Sequence, residues 1–239
     1  MISRSKNLPV AVGIPVRDEA DRLPRLLDAL CDQSAGAGAF TVCFLMDGCS
    51  DESEALLRAA APELTFDVKI SSLPRAEPNA GRARHMAMQM CLDAIGTQGG
   101  IVLTTDGDSV PEPDWIETAR RALSEVDVVV GHIERNIRLM GCWRTRLEDY
   151  LDALHTMRRA VDPIAWDAAP SHPSLGGANL GFRADVYRAL GGFPAYVRGE
   201  DTALVSKARR AGYRVRHDPA VRVYTSNRTA GRAPGGLAD

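Results

Sequence analysis

Residues 101–108 read Ile101-Val102-Leu103-Thr104-Thr105-Asp106-Gly107-Asp108. The first part is short, apolar and rich in β-branched residues, which favours a buried strand, and a polar turn with two carboxylates follows it at once. Most Asp-x-Asp pairs are turn residues that cap the next helix. The same pair also suits a hard divalent cation shared with a diphosphate, because Mg²⁺ and Mn²⁺ take oxygen ligands from carboxylates and phosphates.

The unit of apolar strand and polar turn recurs upstream of this stretch. Apolar residues at helical spacing separate the strands, for example from Leu23 to Leu30 and from Gly81 to Ala94. An alternation of strands and helices over residues 9–125 predicts an α/β fold with a mostly parallel, doubly wound sheet. The predicted strands are residues 10–15, 41–46, 68–70 and 101–105, and a further helix is predicted near 113–123.

Acidic side chains follow three of these strands. In a doubly wound sheet, ligands bind beyond the carboxyl ends of the strands, so these side chains should meet at one edge. The sequence therefore predicts one acidic site there. Its members are Asp18 and Glu19 after the first strand, Asp47 and Asp51 after the second, and Asp106 and Asp108 after the fourth.

The second half of the chain, residues 126–225, has a mixed pattern. It predicts a strand at 126–131, a helix at 143–161, a loop at 162–178, helices at 183–190 and 201–211, and one or two strands within 213–225. We interpret the apolar stripe of helix 143–161 as core. That stripe comprises Trp143, Leu147, Tyr150, Leu151, Leu154 and Val161.

The composition of the chain argues against several classes of protein. The chain has 239 residues, 45% of them hydrophobic and 25% charged, with a formal net charge of −2. This balance argues against nucleic-acid binding, which usually needs a basic face. We find no transmembrane segment, although peripheral contact with a membrane stays open. The five cysteines lack metal-type spacing, which favours reduced thiols and a cytoplasmic protein.

We expect residues 1–239 to form one domain, because no linker or repeat interrupts them. Residues 9–125 would form a donor half and residues 126–225 an acceptor half. The composition of residues 226–239 leaves two interpretations open. They are an ordinary frayed tail, or a mobile basic loop that closes over a diphosphate.

The motifs, in this order and at this spacing, resemble those of the family 2 glycosyltransferases, which have the GT-A fold, a Rossmann-like mixed sheet flanked by helices. The resemblance runs from about residue 9 to residue 225. The matching segments are residues 12–19, 46–51, 81–85, 105–109, 177–183, 191–193 and 199–204.

This resemblance implies a nucleotide-diphosphate sugar as donor, with a UDP-sugar as the first choice, and a divalent cation, Mn²⁺ or Mg²⁺, as cofactor. Asp106-Gly107-Asp108 is then the DxD motif. The family pattern places Pro15, Arg17 and Glu19 beside the nucleoside, Asp47 on the base, Arg84 near the nucleotide, Asp106 on the ribose or metal, and Asp108 on the metal.

The resemblance also implies a catalytic role for Glu200 and Asp201. Asp201 would be the general base that deprotonates the acceptor hydroxyl in an inverting single displacement. In isolation the pair would read as helix N-terminal charges favoured by the dipole. The family often has a metal-binding histidine at the position that Thr225 occupies here.

Two other functions remain as alternatives. A nucleotidyltransferase that makes nucleotide sugars would need a glycine-rich phosphate loop directly after the first strand, where this chain has Pro15-Val16-Arg17-Asp18-Glu19. The second is a catalytically inactive relative that only binds nucleotide sugar. The acceptor, whether saccharide, lipid or small molecule, is not identified, because variable loops such as 132–178 carry acceptor specificity.

Overall fold

The computed structural model describes residues 8–97, 99–135, 141–161 and 163–225. The predictions for residues 226–239 lie outside this part of the chain. The strands are β1 (Val10–Val16), β2 (Thr41–Asp47), β3 (Asp67–Leu73), β4 (Ile101–Thr104), β5 (Ser109–Pro111), β6 (Val128–Arg135), β7 (Leu180–Arg183) and β8 (Val215–Thr225). The helices are α1 (Leu23–Cys31), α2 (Ser53–Ala60), α3 (Ala80–Ile95), α4 (Trp115–Ala122), α5 (Gly141–Val161), α6 (Ala184–Leu190) and α7 (Glu200–Arg210), with a 3₁₀ turn at Ala61–Glu63.

The strands form one eight-stranded sheet in the order β3-β2-β1-β4-β7-β6-β8-β5. The first four strands in this order are parallel, as the alternation of strands and helices predicts. Strand β7 is antiparallel to both of its neighbours, β4 and β6. Strand β8 is parallel to β6 and antiparallel to β5. The α/β class with a mostly parallel, mixed sheet is thereby confirmed.

Apolar side chains fill both faces of the sheet. Along β1, Val12 and Ile14 point to one face, where α1 and α4 cover them, and Ala11 points to the other, where α3, α6 and α7 pack. This alternation follows from the two-residue period of a strand. The α1 residues that set its helical spacing are all buried; they are Leu23, Leu26, Leu27 and Leu30.

Helix α5 differs from this pattern, and the interpretation of its stripe as core is wrong. Tyr150, Leu151, Leu154 and Val161 are all exposed, Val161 at 84%. Among the described side chains of the helix, His155 and Arg159 hydrogen-bond to the segment 167–171. The side chains of Trp143 and Leu147 lie outside the described part of the chain.

Candidate functional site

A cleft opens at the carboxyl ends of β1, β2 and β4. The parallel register explains why: Val16 pairs with Met46 and Gly13 with Thr104, so the turns after these strands emerge side by side. The structure brings together in this cleft the residues that the family resemblance assigns to donor and metal, namely Pro15, Arg17, Glu19, Asp47, Arg84, Asp106 and Asp108. Asp18 and Asp51, which the sequence also predicted in a single acidic site here, do not line the cleft.

The turn after β1 is fixed by Asp18, which lies in the left-handed region with φ 55°. Its Oδ1 accepts a hydrogen bond from the Ser50 backbone N–H at 2.6 Å, and Arg75 Nη1 lies 3.1 Å from its Oδ2. Burial alone would raise the pKa of Asp18, but these hydrogen bonds outweigh it and lower the pKa to about 2. The charged carboxylate therefore ties the turn after β1 to the turn after β2, and this holds Arg17 and Glu19 at the cleft.

Asp47, the last residue of β2, is buried at the cleft floor. Its Oδ2 accepts a hydrogen bond from Arg17 Nη1 at 3.1 Å, and Arg82 Nη2 lies 3.5 Å from its Oδ1. That Oδ1 is buried and makes no hydrogen bond, and Arg82 is its ionic partner. Sequence analysis did not assign Arg82 a role, although it lies two residues before Arg84 in the segment 81–85.

Asp106 and Asp108 follow β4 and flank Gly107. A Cβ at Gly107 would lie 3.2 Å from Glu19 Cγ, so the turn packs closely against the β1 side of the cleft. Ser109 begins β5 and pairs with Thr225, its Oγ 3.4 Å from Thr225 Oγ1. The carboxylates of Asp106 and Asp108 are oxygen donors of the kind that a hard divalent cation takes.

Arg84 is buried between the two ends of the site. Its guanidinium lies 2.9 Å from Asp106 Oδ1 and 3.3 Å from Glu200 Oε1, and it donates to the Gly177 carbonyl at 2.8 Å. A Cβ at Gly177 would lie 2.4 Å from Arg84 Cζ, so only glycine allows this approach. Burial would lower the pKa of Arg84, but the facing carboxylates raise it overall. The side chain therefore stays charged and joins α3, β4 and α7.

Glu200 and Asp201 open helix α7 but have different surroundings. Glu200 is buried, and burial raises its pKa even though the Arg84 charge opposes the shift. Asp201 is partly exposed, and its Oδ2 accepts a hydrogen bond from the Gly177 N–H at 2.9 Å. A carboxylate in the first helical turn is favoured by the helix dipole. Of the two, Asp201 is the one that a substrate can reach.

Within the described residues, one group of three side chains could hold a metal ion, and it is Asp18, Cys49 and Asp51. Asp18 is already bonded to Ser50 and Arg75. We therefore assign this group a structural role in the turns, separate from the Asp106 and Asp108 pair. No helix in the described ranges is both long enough and apolar enough to cross a membrane.

Comparison with known proteins finds glycosyltransferases both in the family model and among the curated relatives. The family model described as "Glycosyl transferase family 2" matches residues 11–171. The curated relatives include glycosyltransferase AglE of Haloferax volcanii, 25% identical over 207 residues, which cover 85% of this chain and 62% of AglE. Undecaprenyl-phosphate 4-deoxy-4-formamido-L-arabinose transferase of Sodalis glossinidius is 28% identical over 148 residues, 61% of this chain and 42% of the relative. The matches therefore span less than two thirds of each relative.

Solved structures share the fold at low sequence identity. Staphylococcus aureus TarS 1–349 in complex with UDP-GlcNAc superposes with a TM-score of 0.69 at 16% identity, covering 96% of this chain and 62% of that one. The mannosyltransferase PcManGT of Pyrobaculum calidifontis, in complex with GDP-Man and Mn²⁺, gives a TM-score of 0.67 at 21% identity, covering 93% and 58%. These likenesses show the GT-A fold.

Proposed function

This chain belongs to glycosyl transferase family 2, and on that premise we propose that it transfers a sugar from a nucleotide-diphosphate sugar to a hydroxyl acceptor, with a divalent cation and with inversion. We take a UDP-sugar as the first donor to test. The solved relatives were bound to UDP-GlcNAc and to GDP-Man, so both nucleotides belong in the test.

One observation carries the proposal. Arg84 contacts Asp106, at the end of β4, and Glu200, at the start of α7. A single buried side chain thus separates the acidic pair proposed for the donor from the acidic pair proposed for the acceptor. A transferase needs its donor phosphates and its acceptor hydroxyl this close, because proximity and orientation supply much of the rate.

In the proposed mechanism the cleft binds and orients the donor. Asp47 Oδ1, which makes no hydrogen bond in the structure, accepts one from the base as the Arg82 side chain shifts, and Arg17 holds the other carboxylate oxygen in place. Asp106 and Asp108 would hold the cation, which supplies charge neutralisation to the leaving diphosphate when it is bound. Pro15 and Glu19 complete the wall beside the nucleoside.

Asp201 then removes the proton from the acceptor hydroxyl. Its Oδ2 is oriented by the Gly177 N–H, and Arg84 in turn fixes the Gly177 carbonyl. Glu200 does not compete for this role, because it is buried against Arg84. We therefore assign Glu200 to positioning: it orients Arg84 and the loop that carries Gly177.

The experiment compares the wild type with Asp201→Asn on a panel of UDP- and GDP-sugars with Mn²⁺. We measure release of nucleoside diphosphate by slow donor hydrolysis and donor affinity by calorimetry. Asn keeps the size but cannot take the proton, so turnover should fall about 10²–10⁴-fold while donor affinity stays unchanged. Asp185→Asn is the matched control, since Asp185 also lies in the first turn of a helix, α6, and pairs with Arg183 on the surface.

A loss of donor affinity in Asp201→Asn would assign this residue to the donor site and remove the proposed base. Exchange of pyrophosphate into the donor would indicate a nucleotidyltransferase, and binding without turnover a nucleotide-sugar binder. Excess chelator should stop wild-type turnover. Once an acceptor is known, a product with retained anomeric configuration would reject the single displacement.

A further inference from the structure

Helix α5 presents a row of apolar side chains to solvent. Met157 is 63% exposed and Val161 is 84% exposed. A protein rarely leaves a contiguous row of large apolar residues uncovered unless the surface contacts something else. We call this row the exposed stripe; it consists of Tyr150, Leu151, Leu154, Met157 and Val161.

The exposed stripe is one side of the helix. Tyr150, Leu154, Met157 and Val161 follow one another at intervals of four, three and four residues, which keeps them in line along a helix. Another side of α5 faces the body of the protein. There His155 Nε2 lies 3.1 Å from Ser171 Oγ, and Arg159 donates to the Asp167 carbonyl at 2.6 Å.

The charges around the exposed stripe indicate what covers it. At about 100° per residue, Arg146 lies about 80° from Leu154 on one side of the helix, beyond Met157, and Arg158 lies about 40° on the other side, between Leu154 and Leu151. Both arginines are on exposed positions. The acidic positions of α5, residues 148, 149 and 152, fall about 120° or more from Leu154. The apolar surface therefore has basic residues at its edge and within it, which together we call its cationic border.

A cationic border disfavours a second copy of α5 as the partner. Residues beside the seam of a helix pair face each other across it, and opposite charges there favour pairing. In α5 the charged residues nearest to Leu154 include Arg146 and Arg158, whereas the acidic positions are about 120° or more away. Two copies would bring arginine to arginine, whereas an anionic surface complements both the arginines and the apolar row.

We propose that α5 lies on an anionic lipid surface, with the exposed stripe in the boundary between headgroups and acyl chains. An apolar row bordered by basic residues is the pattern of helices that lie in the plane of a membrane. Ile164 and Trp166 follow α5 and are also exposed, and Arg214 lies 5.6 Å from the Trp166 ring. Tyrosine and tryptophan are favoured at this depth because they have one apolar and one polar end. The proposal is independent of the proposed transferase activity.

The test is co-sedimentation of the whole chain with phosphatidylcholine vesicles, with and without about a third of phosphatidylglycerol, a content chosen to give clear anionic character. The wild type should bind the anionic vesicles and lose binding as salt is added, because salt screens the arginines. Met157→Glu should weaken binding on the order of tenfold or more, since it removes one buried side chain from the contact.

Thr156→Glu is the matched control. It adds the same charge to the neighbouring exposed residue, but on the opposite side of the helix from the stripe. It should bind vesicles like the wild type, and circular dichroism should show that both variants keep their fold. Absence of wild-type binding, or an equal loss in both variants, would overturn the proposal. So would a stable wild-type dimer in light scattering that Met157→Glu dissociates.

Discussion

Helices α3 and α5 are the two long helices in the described part of the chain, and they use their apolar residues in opposite ways. In α3, Ala87, Met88 and Cys91 are buried against the sheet. In α5, Tyr150, Leu154 and Val161 face solvent, and the polar side chains of His155 and Arg159 hydrogen-bond to the body of the protein. The comparison teaches that apolar spacing predicts a helix and its sides, but not what those sides contact.

The largest change in unfolding free energy should come from removing Arg84, the charged residue that α3 buries. Arg84→Met removes the partner of the buried Glu200, and breaking one side of a buried ion pair costs about 3–5 kcal/mol of unfolding free energy. Urea unfolding measures this. Adding Glu200→Gln to Arg84→Met should recover part of the loss, because the neutral amide costs less to bury. If the double variant is no more stable than Arg84→Met, the buried charge is not the cause.

Each of the two helices contains a methionine, so the effect of burial on stability can be compared directly. Met88 in α3 is 0% exposed and Met157 in α5 is 63% exposed. Met88→Ala should lower the unfolding free energy by about 2–5 kcal/mol, because it leaves a cavity in a packed core. Met157→Ala should change it by no more than about 0.5 kcal/mol. Equal losses in the two variants would mean that the exposed stripe is covered within the folded chain.

Low pH should destabilise the protein through the buried histidines that lie near α5. His172 and His217 lie near His155 of α5; burial, together with neighbouring histidines and Arg209, lowers their pKa values to about 3 and about 4. Below pH 6.5 these histidines bind protons in the unfolded chain but stay neutral in the folded chain. The unfolding free energy should therefore fall as the pH drops from 6.5 toward 4. Each histidine can contribute about 1.4 kcal/mol per pH unit at most.

Urea unfolding at several pH values measures this slope. His172→Gln should make the loss between pH 6.5 and 5 smaller, because one buried imidazole no longer titrates in the unfolded chain. Met157→Ala should leave the slope unchanged. A His172→Gln variant with the wild-type slope would exclude His172 as a cause of acid sensitivity.

Local sequence patterns predicted β1 to β4 and the edge where their acidic turns meet, but not the short strand β5. This worked because parallel strands end at one side of the sheet, so the order of apolar runs already brings Asp47 and Asp106 together. The position of β7 between β4 and β6 was not predicted, since antiparallel pairing across distant segments leaves no local signal.

Two features of the site also depend on contacts between distant residues. The link from Arg84 to Glu200 joins residues 116 positions apart, and no spacing rule encodes it. Sequence analysis did not predict that His132, His172 and His217 would lie side by side. Sequence periodicity likewise could not reveal that the stripe of α5 has no cover within the described chain.

The buried guanidinium of Arg84 also limits how the molecule can move. It comes from α3, whereas Glu200 begins α7 and Gly177 lies shortly before β7. Because the pair is buried, any movement of α7 away from α3 must break it and hydrate both charges. The ion pair therefore couples the position of α7 to that of α3 and opposes a hinge between these two helices.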